Sequence, residues 1–180
     1  MDKILRALLL FIVIVILVAL NIGLSYILPF PYSKLNILFA IIILLMLWSD
    51  SGLIIWITFF SHLFIELFST TPFGVILFSS TIGILISFWL FKHTFTNRSL
   101  LATLAMSSIA LILYRLIYIL LLYLTKLFGI IPDIPWQLIF ITFLWEFLFT
   151  TTLVAIFYII LSRFSKRLKT NVIDTNFFRI

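Results

Sequence analysis

Six long runs of apolar residues, separated by proline, glycine or charged residues, make up most of this chain. A membrane-spanning helix requires about 20 mostly apolar residues, and the runs approach or exceed that length. Only 10% of the residues are charged, against about 25% in an ordinary globular domain. The chain therefore lacks the polar surface that coats a water-soluble particle. A disordered chain, a nucleic-acid-binding domain and a soluble cofactor enzyme are excluded as descriptions of the whole protein.

The breaks between the runs predict an all-α membrane protein with six transmembrane helices. The predicted spans are about 4–28, 35–48, 53–68, 74–91, 100–128 and 136–161, in a single domain over residues 1–169 that is followed by a short cytoplasmic tail, 170–180. The second and third spans hold 14 and 16 residues, so they reach only about 21–24 Å across a hydrocarbon core of about 30 Å. The alternative for this pair is a re-entrant hairpin that turns near Asp50 without crossing.

The distribution of lysine and arginine predicts the orientation of these spans. With both termini in the cytoplasm, the external segments hold only Lys34 and Lys126, and Arg115 lies within the membrane. The nine remaining cations are then cytoplasmic: Lys3, Arg6, Lys92, Arg98, Arg163, Lys166, Arg167, Lys169 and Arg179. Cytoplasmic loops of multi-pass proteins carry such an excess of positive charge. The +6 net charge therefore indicates topology, and we expect no nucleic-acid partner.

Three ionisable residues stand out inside the predicted spans, in the outer half of the membrane: Glu66, Arg115 and Glu146. Each is costly there, by about 2.5–3.5 kcal/mol on insertion scales, and therefore calls for a partner or a water-filled cavity. We expect Arg115 to pair with Glu66, Glu146 or both, in an internal ion pair that fixes the register of the helices. The alternative is a cavity that binds a partner or a ligand.

His62 shares a face of the third span with Glu66 and Thr58, because the three residues are spaced four apart. Two candidate ligands are too few for a structural zinc site, and no HExxH pattern occurs. We therefore expect a hydrogen-bonded packing stripe, with no bound metal or cofactor. The chain has no cysteine and carries none of the glycine-rich or nucleophile motifs of common enzymes. These observations predict a protein without enzymatic activity.

A short motif ends the third span, with an acidic residue at Glu66 followed by Ser69, Pro72 and Gly74. Pro72 stops the helix, and Gly74 permits a tight turn into the fourth span. This acidic-Leu-x-Ser-x-x-Pro-x-Gly segment resembles the family of MreD, the rod shape-determining membrane protein, and the four residues correspond to its motif. The similarity extends to the number of spans, the short second and third helices and the basic C-terminus. Phenylalanine and isoleucine dominate in this chain where that family is often richer in glycine and leucine.

The resemblance implies a non-catalytic scaffold of the cell-elongation machinery in the bacterial inner membrane. It implies an MreC-like membrane protein as partner and, indirectly, MreB filaments and peptidoglycan synthases. MreD is also similar in architecture to the S-components of energy-coupling-factor vitamin transporters, which implies a compact six-helix bundle. The alternative function is therefore that of a vitamin-binding subunit with an outward-opening cavity. The external segments 30–34 and 126–135 are short for a lid over such a cavity.

Overall fold

Helices account for almost all of the described chain. The computed structural model describes residues 2–48, 51–94, 99–131 and 133–164. Within these ranges the protein is all-helical, as predicted, and has six α-helices: α1 Asp2–Ile27, α2 Ile37–Trp48, α3 Leu53–Leu67, α4 Val75–Thr94, α5 Leu100–Leu127 and α6 Trp136–Phe164. A 3₁₀ turn, Tyr32–Lys34, lies between α1 and α2. The predicted turn at Asp50, residues 95–98, Pro132 and the chain beyond residue 164, including the predicted tail, lie outside the described residues.

Local chemistry explains where several helices begin and end. The first helix stops at Ile27, shortly before Pro29, because proline disfavours the helical conformation in the residue that precedes it. Asn36 caps α2, since its Oδ1 accepts a hydrogen bond of 3.0 Å from the backbone N–H of Phe39. Ser99 caps α5 in the same way, through the backbone N–H of Ala102. Each predicted span coincides with an α-helix, and their ends agree to within three residues.

Four helices are long and apolar enough to cross a membrane, in the segments Leu8–Ile27, Val75–His93, Leu100–Leu127 and Trp136–Arg163. Their outer faces carry large, exposed apolar side chains. Phe11 on α1, Leu116 on α5 and Phe140 on α6 are each more than half exposed. Water-soluble monomers rarely present apolar patches of more than a few hundred Å². These faces are therefore suited to contact with lipid.

The shortest helix, α2, lies at the centre of the bundle. Its 12 residues reach only about 18 Å, but they pack against α1, α3, α5 and α6. Eight of them are buried: Leu38, Phe39, Ala40, Ile42, Ile43, Leu44, Met46 and Leu47. A helix that is apolar on every side is stable when every side meets protein. Helix α2 is thus surrounded mainly by other helices, which explains why it is uniformly apolar although it is short.

Helices α4 and α5 form the most extensive helix pair in the described chain. The sequence predicts a stripe of small residues on α4 at Ser79, Gly83 and Ser87, and all three are buried. A Cβ atom added at Gly83 would lie 3.1 Å from the backbone nitrogen of Tyr114 and 3.2 Å from its Cα. The hydroxyl of Ser87 donates to the carbonyl of Gly83 within the same helix. The small residues therefore permit the backbones of α4 and α5 to approach closely.

Substitution of Gly83 by valine is expected to lower the free energy of unfolding by about 1–3 kcal/mol, because the new side chain meets the backbone of α5. Gly23 on α1 provides the matched control, since a Cβ atom added there would have no atom within 4 Å. Gly23→Val should leave stability unchanged or slightly increased. Equilibrium unfolding in detergent measures both effects, and equal losses at the two positions would contradict the close approach at Gly83.

Candidate functional site

Arg115 on α5 and Glu146 on α6 form a buried ion pair. The Nη2 group of Arg115 donates to Oε2 of Glu146, and the two residues are only 7% and 8% exposed. Of the two acidic partners allowed by the sequence, the structure places Glu146 against Arg115. Because the paired residues are on neighbouring helices, the contact ties α5 to α6.

Asn36 completes the arrangement around Glu146. Its Nδ2 group donates to the second carboxylate oxygen, Oε1, at 3.0 Å, and its backbone N–H donates to the hydroxyl of Thr150 at 3.4 Å. The same asparagine caps α2 through its side-chain oxygen. Glu146 is therefore held from two sides, and the beginning of α2 is joined to the middle of α6. Asn36 was not predicted as part of the site, although an asparagine directly before an apolar run is a recognisable helix-start signal.

Aromatic rings surround the guanidinium of Arg115. The centroids of Tyr114, Tyr118 and Phe143 lie 5.7, 5.3 and 5.6 Å from its Cζ atom, which is within the range of cation–π attraction. Among the described residues, however, the buried Nε of Arg115 finds no hydrogen-bond acceptor. The side chain is thus stabilised by one carboxylate and by three ring faces, and it retains donor capacity that this arrangement leaves unused.

Two adjoining clefts have Arg115 in their walls. The first, the α5–α6 cleft, has a volume of about 360 Å³, and its other lining residues are Ile119, Trp136, Gln137, Ile139, Phe140 and Phe143. The second, the loop cleft, has a volume of about 320 Å³ and extends to the turn between α3 and α4, with polar lining from Thr70, Thr71, Tyr118, Asp133 and Thr142. Ile139 also lines both clefts. Arg115 therefore lines both an almost wholly apolar cleft and a second cleft that adds several polar residues to an apolar lining.

Glu66 belongs to a different contact and does not join Arg115 in an ion pair. Its Oε1 accepts from the backbone N–H of Ile76 at 2.9 Å, and its Oε2 accepts from the N–H of Leu77 at 3.3 Å. The first N–H groups of a helix lack partners within the helix and carry partial positive charge. The carboxylate at the end of α3 consequently caps the beginning of α4. This cap satisfies Glu66 locally, which is the physical reason why no single cluster of Glu66, Arg115 and Glu146 forms.

The turn between α3 and α4 gives the other motif residues distinct structural roles. The hydroxyl of Ser69 accepts from the backbone N–H of Thr71 at 3.1 Å, and it lies 2.8 Å from the Thr71 hydroxyl. The carbonyl of Pro72 accepts from the N–H of Val75. Gly74 has a φ of 97°, a conformation that residues with a Cβ rarely adopt. Together with the Glu66 cap, these contacts define a compact junction between two helices.

His62 also has a local partner. Its Nδ1 lies 2.9 Å from the carbonyl oxygen of Thr58, one turn earlier in α3, and its ring lies edge to face with that of Phe39 on α2. The hydroxyl of Thr58 in turn donates to the carbonyl of Ile54. Thr58 and His62 therefore face the core and are hydrogen-bonded along their own helix, whereas Glu66 bonds to α4. Over the described residues, no group of three histidine or acidic side chains is placed to hold a metal ion.

Comparison with known proteins adds no family to this description. No family model, curated protein or solved structure matches the chain. The function must therefore be inferred from two features: the capped junction between α3 and α4, which contains the motif, and the ion pair of Arg115 with Glu146 at the two clefts.

Proposed function

We propose that this chain is a non-catalytic scaffold of the cell-elongation machinery in the bacterial inner membrane. In this role it binds an MreC-like membrane protein and, through that partner, couples MreB filaments to peptidoglycan synthases and maintains rod shape. The observation that carries the proposal is the junction from Glu66 to Gly74, where the residues of the MreD-like motif have defined contacts. Glu66 caps α4, Ser69 orders the turn, and Gly74 supplies the left-handed backbone.

The chemistry of the buried polar groups also favours a scaffold. Glu146 is held by Arg115 and Asn36, Glu66 is held by the start of α4, and His62 is held by Thr58. The contacts of Glu146 and of Glu66 each link different helices. A rigid bundle stabilised in this way is suited to presenting an apolar outer face to partner helices within the membrane.

We further propose six crossings, with both termini in the cytoplasm and a compact bundle similar to that of vitamin-transporter S-components. The excess of lysine and arginine in the segments then assigned to the cytoplasm supports this orientation. The short α2 can be part of such a bundle because four other helices, and not lipid, surround most of it.

A vitamin-binding subunit of an uptake transporter is the second candidate, and the two clefts at Arg115 favour it. Together they combine an apolar wall with a few polar groups, which is typical of small-molecule sites. In this case the binding site would lie in the outer half of the membrane, below the segment that connects α5 to α6.

Affinity purification after crosslinking in native membranes tests both proposals. The scaffold proposal expects an MreC-like protein and peptidoglycan synthases among the crosslinked companions. The uptake proposal expects a pair of ATPase subunits, together with a vitamin-sized molecule that remains bound during native mass spectrometry. Recovery of the ATPase pair without any wall-synthesis protein would overturn the scaffold proposal.

A further inference from the structure

Arg115 is placed unusually for a residue with a purely structural role. It lies near the middle of α5 and is 7% exposed, but within the described chain its Nε donor has no acceptor. Buried donors nearly always have a partner, and one without a partner calls for an explanation. Glu146 already occupies Nη2, and the second oxygen of Glu146 is engaged by Asn36. Arg115 also lines both clefts, so the guanidinium borders space that another acceptor can fill while the ion pair stays intact.

The α5–α6 cleft lies between Arg115 and the exposed surface of α6 and is mainly apolar. Ile119, Ile139 and Phe143 line it together with Gln137, Trp136 and Phe140. The last two residues are 54% and 63% exposed, so the cleft opens sideways on the surface of α6 that is suited to lipid contact. A hydrocarbon chain entering from the bilayer would meet mainly apolar side chains, apart from Gln137 and Arg115.

The loop cleft shares Arg115 with the α5–α6 cleft and adds residues that can form hydrogen bonds. Four residues with hydroxyl groups line it: Thr70, Thr71, Tyr118 and Thr142. Asp133 lies at its exposed edge, where the carboxylate pairs with Lys126 at 2.9 Å. The charge of that aspartate is therefore balanced by Lys126, and Arg115 is the cation that lines the cleft. Guanidinium and hydroxyl groups in this combination match the acceptor oxygens of a phosphate group.

We propose that the two clefts together bind one amphiphile with an anionic phosphate head. The head lies in the loop cleft, where it accepts hydrogen bonds from Arg115 and the hydroxyls, and the hydrocarbon chain lies along the α5–α6 cleft. Anionic phospholipids of the bilayer have this chemistry, and so do other phosphorylated lipids. The site does not depend on the scaffold role, because it is built from α5, α6 and the turns beside them.

Native mass spectrometry of the full chain in a neutral detergent tests the proposal with three probes. Phosphatidate carries both the head and the chains, diacylglycerol carries the same chains without a phosphate, and glycerol phosphate carries the head alone. We expect one phosphatidate to bind, with a Kd about tenfold lower than that of diacylglycerol, since a charge-assisted hydrogen bond contributes on that order. Glycerol phosphate should not bind at the same concentration. Equal binding of the two lipids, or binding of glycerol phosphate as tight as that of phosphatidate, would overturn the proposal.

Substitutions in the two clefts test where phosphatidate binds. Ile139→Trp fills the position shared by both clefts and should weaken phosphatidate binding about tenfold or more, whereas Leu148→Trp, on the exposed face of the same helix, should leave it unchanged. Should Ile139→Trp fail to fold, the near-isosteric double variant Tyr118→Phe with Thr142→Val removes two hydroxyls from the loop cleft. We expect it to weaken binding about tenfold or more, because two hydrogen bonds to a charged acceptor are lost. Wild-type affinity in the double variant would place the lipid elsewhere on the protein and overturn the proposed site.

Discussion

Arg115→Leu is expected to lower the free energy of unfolding by about 3–5 kcal/mol, the largest loss that we expect from any single substitution in this chain. The reason is that the substitution leaves the buried carboxylate of Glu146 without its charged partner. Glu146 is 8% exposed and would keep only the amide of Asn36 as a hydrogen-bond partner. Removal of one member of a buried ion pair costs more than the pair contributes, because the other charge stays in a medium of low dielectric constant. Unfolding by sodium dodecyl sulfate in mixed micelles measures the loss.

The control is the double variant Arg115→Leu with Glu146→Leu. Replacing both members of a buried pair by apolar residues is often close to neutral, so we expect most of the lost stability to return. Asn36 would lose its carboxylate partner in this variant, which sets a residual cost of about 1–2 kcal/mol for the unsatisfied amide. A single variant as stable as the wild type would mean that Arg115 is solvated by water and does not depend on Glu146.

Glu66→Leu is expected to lower the free energy of unfolding by about 3 kcal/mol. The carboxylate is 3% exposed and accepts from two backbone N–H groups in the first turn of α4, those of Ile76 and Leu77. Hydrogen bonds to a charged acceptor contribute about 1.5–3 kcal/mol each, and buried donors without an acceptor are costly. The same unfolding measurement in mixed micelles reports the change.

The matched control at this position is Glu66→Gln, which keeps one side-chain oxygen and removes the charge. We expect it to lose only about 1 kcal/mol, because one of the two N–H groups retains its acceptor. Combining Glu66→Leu with Arg115→Leu should lower stability further than either change alone, since the two side chains have different hydrogen-bond partners. A strong coupling between them would contradict the separation of the two sites.

The helices were largely predictable because a bilayer imposes long apolar runs and clear breaks. Pro29 and Gly74 interrupt the pattern where a helix ends or the backbone turns. The surroundings of α2 were less predictable. An apolar run has the same composition whether it meets lipid or protein, so only the folded bundle reveals that α2 is covered by four other helices.

The candidate site was predicted in part. Glu66, Arg115 and Glu146 could be identified because charged residues are rare in the predicted spans. Their predicted depths in the membrane allowed either acid to pair with Arg115. Depth in the membrane does not determine which neighbour a side chain faces, and it takes no account of backbone N–H groups as partners. The N–H groups at the start of α4 satisfy Glu66, which explains why the arginine pairs with the acid of α6. Asn36 was missed because its role depends on the packing of α2 beside α6.

The scaffold role is tested most directly by the amount of an MreC-like protein that copurifies with this chain after crosslinking in native membranes. Quantitative mass spectrometry should compare the eluate with that of an unrelated multi-pass protein that carries the same tag and is expressed at the same level. We expect the MreC-like protein to be strongly enriched over this control, together with peptidoglycan synthases. If wall-synthesis proteins are no more abundant in the eluate than in the control, the proposed function is wrong.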